Sequence, residues 1–281
     1  MMKRSYARSM ESLGIRKRKA QAASFYYESK QTVEEPVTKI KDLFTCRYAY
    51  GRAAESVMLS EMGQDFIALK MNEDVCHFVL CDGVGMSYRG DVASRLLGQG
   101  LMNWLETVEE LTTASLERRL KELTQEADRE MRTHSLSSET PKLLREVLEE
   151  KQRKGSEAMY ICGRIELFSG FRRKGRLWLA WQGDSRVRLW RKEDEITSVF
   201  GDRFRTSERW SSRSGPIGGS PHVFSCKLDP ETEYRLQLYS DGLNDLDPMK
   251  DPIPDEQVQV LMNARHTDGL EDDASFLEIV W

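Results

Sequence analysis

The stretch that most constrains this 281-residue chain is Cys76–Ser94, where an apolar run stops abruptly at an acid and a glycine. His77–Cys81 has the length and composition of a buried strand. Asp82-Gly83-Val84-Gly85 follows, and its glycines permit unusual backbone angles and close approach of neighbouring chain. A helical pattern begins near Asp91. A carboxylate at the end of a buried strand, beside an open backbone carbonyl, is poorly explained as packing. It suits a hard divalent cation, which takes oxygen ligands. A tight turn with Asp as the turn former would explain the same residues without a ligand.

The same punctuation recurs. Asp65 precedes the apolar run Phe66–Lys70, Asp241 follows the run Tyr234–Tyr239, and Asp272-Asp273 precedes a last run from Ala274 to Trp281. From Thr45 to Lys70 the pattern suits two strands around a turn. That arrangement would put Asp65 and Asp82 on neighbouring strands, with their carboxylates at one edge. Four acidic sites sharing one sheet edge would form a cluster. Carboxylates without a His or Cys ligand motif favour Mg²⁺ or Mn²⁺ over zinc.

Between these strands lies a helical block. Apolar residues recur at spacings of three and four over Val92–Leu105, Leu116–Met131 and Leu143–Leu148, the last after Pro141. These helices are expected to form one layer packed on a sheet. After Gly155 the period changes to that of strands, at Glu157–Leu167, Arg176–Trp181 and Arg186–Arg191, with a tight turn at Gln182–Ser185. Strands following a block of helices predict an α+β fold. Residues Asp202–Pro221 are polar and rich in arginine and glycine, and read as a long surface flap.

Composition narrows the partners. With 42 basic and 46 acidic residues the net charge is -4, so nucleic acid is not an expected partner. No apolar run approaches a membrane span, and no secretory signal pattern is present. Five cysteines without a CxxC pair read as reduced thiols in a cytoplasm. Residues 1–40 read as a basic, flexible N-terminal extension, an arm that would suit an anionic partner, and 41–281 as the folded domain.

Five short motifs occur in a telling order. They are Phe78-Val79-Leu80-Cys81-Asp82-Gly83, Lys154-Gly155-Ser156, Gly183-Asp184-Ser185-Arg186, Tyr239-Ser240-Asp241-Gly242-Leu243 and Asp272-Asp273-Ala274-Ser275. From about Arg47 to the C-terminus, the chain resembles the metal-dependent serine/threonine phosphatases of the protein phosphatase 2C type. The resemblance implies an α-β-β-α sandwich of two antiparallel sheets flanked by helix pairs. It also implies two Mn²⁺ or Mg²⁺ ions, held by Asp82, the carbonyl of Gly83, Asp241 and Asp272. Asp65 would contact water on the metals, which makes Asp65, Asp82, Asp241 and Asp272 the catalytic set; Asp184 is expected to be structural. The implied reaction is hydrolysis of phosphoserine or phosphothreonine in proteins by water activated between two cations, without a phosphoenzyme. A phosphorylated protein is the expected substrate, and a cognate Ser/Thr kinase a further partner to look for.

The sequence departs from the family pattern at four places. Ser60 occupies the usual position of a phosphate-gripping Arg, and Gln64 replaces a Glu. The acid of a third metal would fall near Gln152, and Val84 stands where animal members carry His. Arg52 and Arg89 are the expected substitutes for the phosphate Arg, with Arg52 favoured by the hairpin pattern. The alternative reading is a weakly active or inactive regulatory or phosphoprotein-binding module. A Rossmann-type nucleotide site is disfavoured, because Gly90 lies at the wrong spacing after Gly83 and Gly85 and there is no P-loop.

Overall fold

A strand covered on both faces reads as an unbroken apolar run, whereas one covered on a single face alternates. That distinction sets the apolar run Phe78–Cys81 apart from the alternating stretch Glu35–Lys41. The structure is a computed structural model and describes residues 24–72, 74–131, 140–167, 175–263 and 269–281. In chain order the regular elements are β1 (Phe25–Glu28), β2 (Glu35–Lys41), β3 (Thr45–Gly51), α1 (Ala54–Met58), β4 (Phe66–Met71) and β5 (Val75–Gly83). Then come α2 (Gly90–Thr107), α3 (Thr113–Met131), α4 (Lys142–Lys154), β6 (Glu157–Glu166), β7 (Arg176–Gln182), β8 (Arg186–Arg191) and β9 (Asp194–Glu195). The last are β10 (Arg209–Ser211), β11 (Gly215–Ile217), β12 (His222–Lys227), β13 (Tyr234–Tyr239), α5 (Asp255–Asn263) and β14 (Ala274–Val280).

The strands form two sheets, antiparallel throughout. The first has the order β1-β4-β5-β6; β6 then pairs with β10, which carries β11, and with β7, which carries β12. The second has the order β2-β3-β14-β13-β8-β9. Their inner faces meet through Cys46, Leu69, Phe78, Leu80, Trp181, Leu236 and Leu277, all essentially inaccessible to solvent. The other face of the first sheet, with Ala68, Val79 and Trp178, is covered by Leu97, Leu101 and Leu105 of α2 and by Leu116, Leu120 and Leu123 of α3. The outer face of the second sheet packs Ala49 and Phe276 against Val258 and Met262 of α5 and against Leu243 and Leu246 of the short 3-10 helix Asp241–Leu246. This is the α-β-β-α layering that the motifs imply.

A buried polar group also ties the second sheet to α5. Arg47 Nε donates to Glu278 Oε1 at 2.7 Å and its Nη2 to Glu278 Oε2 at 2.6 Å. Nη1 bonds Asp255 at the start of α5, and Nη2 also bonds the Ile253 carbonyl. Arg235 meets the same Glu278 carboxylate at 2.8 Å.

Four local expectations change. The two strands of Thr45–Lys70 do not form a hairpin: β3 lies in the second sheet and β4 in the first. The turn Gln182–Ser185 likewise crosses between sheets, from β7 to β8. Apolar alternation defines a strand but not its neighbour, so both crossings were invisible in the pattern. The apolar spacing after Pro141 does produce a helix, but α4 buries none of its residues, and Leu143, Leu144 and Val147 are 77%, 49% and 46% exposed. The spacing specifies the helix; α2 and α3 already occupy the face it would cover. The stretch 202–221 is no free flap, because β10 pairs with β6 and its Trp210 is fully buried, its indole N–H donating to the Leu120 carbonyl at 3.2 Å.

The division expected at residue 40 runs through the sandwich, since β1 pairs with β4 and β2 with β3. The greater part of the basic arm, residues 1–23, lies outside the described residues. No helix among the described residues is long and apolar enough to cross a membrane, and all five cysteines are free thiols.

Candidate metal centre

Strand register brings the acids together at one end of the sandwich. In the first sheet Phe66 pairs with Cys81, so Asp65 and Asp82 are the next residues outward on neighbouring strands. In the second sheet Tyr239 pairs with Arg186, which sets Asp241 opposite Asp184 by the same counting. Tyr239 also pairs with Phe276, and the Ser240 N–H donates to the Ser275 carbonyl at 3.1 Å, so Asp272 and Asp273 arrive at the same end. The acids therefore do not share one sheet edge: Asp65 and Asp82 come from one sheet, Asp241 and Asp272 from the other, and Asp184 from the crossing between the two.

Asp82, Asp184 and Asp241 form the tight group. One carboxylate oxygen of each lies within 4.8 Å of the others. Among the described residues, no Lys, Arg or His makes an ion pair with any of the three or with Asp272. Burial pushes the Asp82 carboxyl well above the usual carboxylate range, and the charges of Asp65, Asp241, Asp272 and Asp184 push it further. Asp184 and Asp272 are also raised, each by burial first and with Asp241 contributing. Carboxylates this close resist ionising together unless a cation compensates them. Asp184 Oδ1 and the buried Asp65 Oδ2 have no hydrogen-bond partner. An all-oxygen donor set with unpartnered buried oxygens fits a hard divalent cation.

The surrounding backbone is tightly specified. A Cβ on Gly83 would lie 2.4 Å from the Gly90 carbonyl oxygen and 2.7 Å from that of Gln64, so glycine alone lets the start of α2 and the Gln64 loop close over the site. Gly183, at φ +120°, holds the crossing turn in a conformation that side chains rarely adopt. Gly83→Ala is expected to destabilise the protein by about 1–3 kcal/mol through overpacking and to impair the site. Thermal unfolding with a parallel phosphatase assay checks this; an unchanged Tm would show that the loops yield freely.

The remaining expected residues are placed as follows. Asp65 is 2% exposed; burial, followed by the charge of Asp273, raises its carboxyl well above the usual range, while the Ser240 and Ser275 hydroxyls act against the rise. Asp273 accepts the Ala53 N–H at 2.6 Å and the Gln64 N–H, so both its oxygens are engaged in tying the loops around β3 and β4 together. Asp272 Oδ1 accepts the Asp273 N–H at 2.8 Å. Arg52 is held by Glu34 at 2.8 Å and by the Glu61 carbonyl at 2.9 Å. Arg89 stands at the start of α2, forked onto Asp91 through Nε and Nη2 at 3.0 and 2.9 Å. Asp184, expected to be structural, lies within the carboxylate group; it too follows an apolar strand at a glycine–acid step.

No family model matches the sequence, and no curated protein matches it. Solved structures do match the fold. A bacterial serine phosphatase superposes with a TM-score of 0.53 at 17% identity, covering 84% of this chain and 96% of that one. The serine/threonine phosphatase Stp1 from Staphylococcus aureus gives 0.54 at 16% identity, covering 88% and 97%. RsbX in complex with magnesium gives 0.53 at 11% identity, covering 87% and 98%. The chain has the protein phosphatase 2C-like fold that its motifs imply.

Proposed function

We propose that this protein is a divalent-metal-dependent phosphatase acting on phosphoserine or phosphothreonine in proteins. The observation that carries the reading is the group Asp82, Asp184 and Asp241: three carboxylates from three separate strand ends, within 4.8 Å and without an ion pair among the described residues. The likeness to a bacterial serine phosphatase, to a serine/threonine phosphatase and to RsbX in complex with magnesium supports it.

Asp82, the Gly83 carbonyl, Asp241 and Asp272 are the residues that would hold two Mn²⁺ or Mg²⁺ ions, and Asp184 joins them. Bound there, such ions supply Lewis-acid activation of water and neutralise charge that builds on the phosphoryl oxygens. Asp65, beside Asp82 and with Oδ2 unpartnered, is placed to orient the attacking water. Asp273 acts at one remove, by fixing the loops that carry Arg52 and Gln64. For the substrate phosphate, Arg89 is better placed than Arg52. It precedes Gly90, whose carbonyl closes over Gly83, and Asp91 occupies Nε and Nη2 but not Nη1.

Two results follow. Hydrolysis of p-nitrophenyl phosphate and of a phosphopeptide is expected with Mn²⁺ or Mg²⁺, lost on EDTA treatment and restored on refilling; Zn²⁺ substitutes poorly for want of His or Cys ligands. Activity that survives exhaustive chelation would remove the reading. Arg89→Ala is expected to raise KM for a phosphopeptide, at a cost of about 1.5–3 kcal/mol, with kcat little changed. An unchanged KM would clear Arg89 of contact with the phosphate.

A further inference from the structure

We propose that the open cleft beside Asp184 is a docking groove for acidic residues flanking the phosphorylated side chain of a protein substrate, an inference that rests on the phosphatase reading above. The cleft measures about 1050 Å³ and is lined by residues of β8, of the segment Thr197–Ser207 and of Asp247–Lys250. Asp184 belongs both to the carboxylate group and to the lining of the cleft, so a phosphate at the metals would lie at its mouth. The space matches or exceeds the roughly 300–1,000 Å³ that encloses a drug-sized ligand. A lone phosphoseryl side chain would leave most of it empty.

Charge defines the occupant. Four cations and three acids line the cleft. Arg186 pairs with Asp247 at 2.9 Å and Arg188 with Glu195 at 2.9 Å, while Asp184 faces the metal centre. Arg205 and Lys250, carried by separate segments of the lining, remain exposed and without an ion pair among the described residues. Two uncompensated cations lining a groove that leads to a phosphate site suit a short acidic stretch of polypeptide.

The segment that carries Arg205 is fixed to the site. The Arg205 N–H donates to the Gly183 carbonyl at 2.9 Å, one residue from Asp184. Phe204 stacks on Trp181 at 5.2 Å between ring centroids, and the Trp181 indole donates to the Arg203 carbonyl at 3.1 Å. The groove is thus formed before substrate arrives, which spares the ordering cost of a mobile loop.

The test uses two fluorescent peptides in which a non-hydrolysable phosphonate replaces the phosphate, one with acidic flanks and one with neutral flanks. Their affinities are measured by anisotropy in Mn²⁺ at low salt, for the wild-type protein and for the Arg205→Ala/Lys250→Ala variant. Exposed charges of this kind are each worth up to about fivefold in affinity. The wild type is expected to prefer the acidic peptide by about 3- to 25-fold, and the preference should fade with salt and vanish in the variant. Equal affinity of the wild type for both peptides, or a preference that survives in the variant, would overturn the proposal. Hydrolysis of p-nitrophenyl phosphate, which carries no flanks, is assayed in parallel and should stay within about twofold of wild type. A protein inert towards that ester but selective for the acidic peptide would retain the groove while losing the phosphatase reading.

Discussion

Asp82→Asn and Asp241→Asn are each expected to reduce Mn²⁺-dependent phosphate release by at least about a hundredfold while the protein stays folded. Both acids stand at strand ends, and among the described residues neither forms an ion pair. Removing the charge of Asp82 therefore costs the metal-free protein no salt bridge. It instead relieves a group that burial and four neighbouring carboxylates drive towards the neutral form. A carboxyl raised in the folded state stabilises the fold while it is protonated, at and below its unfolded pKa. That contribution is lost as pH rises through the folded value. At neutral pH without metal, Asp82→Asn should accordingly unfold at a temperature equal to or above that of the wild type, and Mn²⁺ should raise that temperature less than in the wild type. Steady-state assays at saturating Mn²⁺ and thermal unfolding with and without the ion check both halves. Near-wild-type turnover in either variant would remove that residue from the ligand set.

The second large effect lies away from the site. Arg47→Ala and Glu278→Ala should each destabilise the fold by up to about 3–5 kcal/mol, because each breaks a buried charge network and leaves Glu278 with Arg235 as its only cation, or Arg47 with Asp255 as its only anion, among the described residues. Glu278 is 2% exposed and receives Arg47, Arg235 and Gln237 on its two oxygens. Burial alone would raise its carboxyl, yet Arg47 and Arg235 hold it below the usual range. A lowered folded pKa stabilises the protein above the ordinary carboxylate range, and that stability is lost as pH falls through the lowered value. Urea unfolding at neutral pH and again at a pH below the ordinary carboxylate range reads both effects. A loss below about 1 kcal/mol at neutral pH would show that the pair is replaceable by water.

What the sequence reveals is chiefly where strands end. The run His77–Cys81 stays apolar because its sheet is covered on both faces, Tyr234–Tyr239 alternates around Arg235 and Gln237, and the acids beyond both runs mark a single end of the sandwich. Which sheet a strand joins is decided by contacts far apart along the chain. Hence β3 and β4, neighbours in sequence, lie in different layers. The same cause hid Asp184. Read along the chain it sits in a turn between two strands, and only the crossing of that turn between sheets carries it to Asp82 and Asp241. Trp210 shows a further limit: a single apolar residue in a polar stretch betrays little, yet it docks β10 against α3. The three-and-four spacing of α4 was legible as a helix but did not say what, if anything, the helix faces.

The carboxylates where the two sheets meet are expected to form a divalent-metal centre. Anomalous diffraction from a crystal soaked in Mn²⁺ tests it most directly. Two manganese peaks are expected at this end of the sandwich, within coordination distance, roughly 2.0–2.6 Å for hard divalent ions, of oxygens from Asp82, the Gly83 carbonyl and Asp241. An anomalous map without density among these carboxylates, in a crystal whose protein is folded and saturated with the ion, would contradict it.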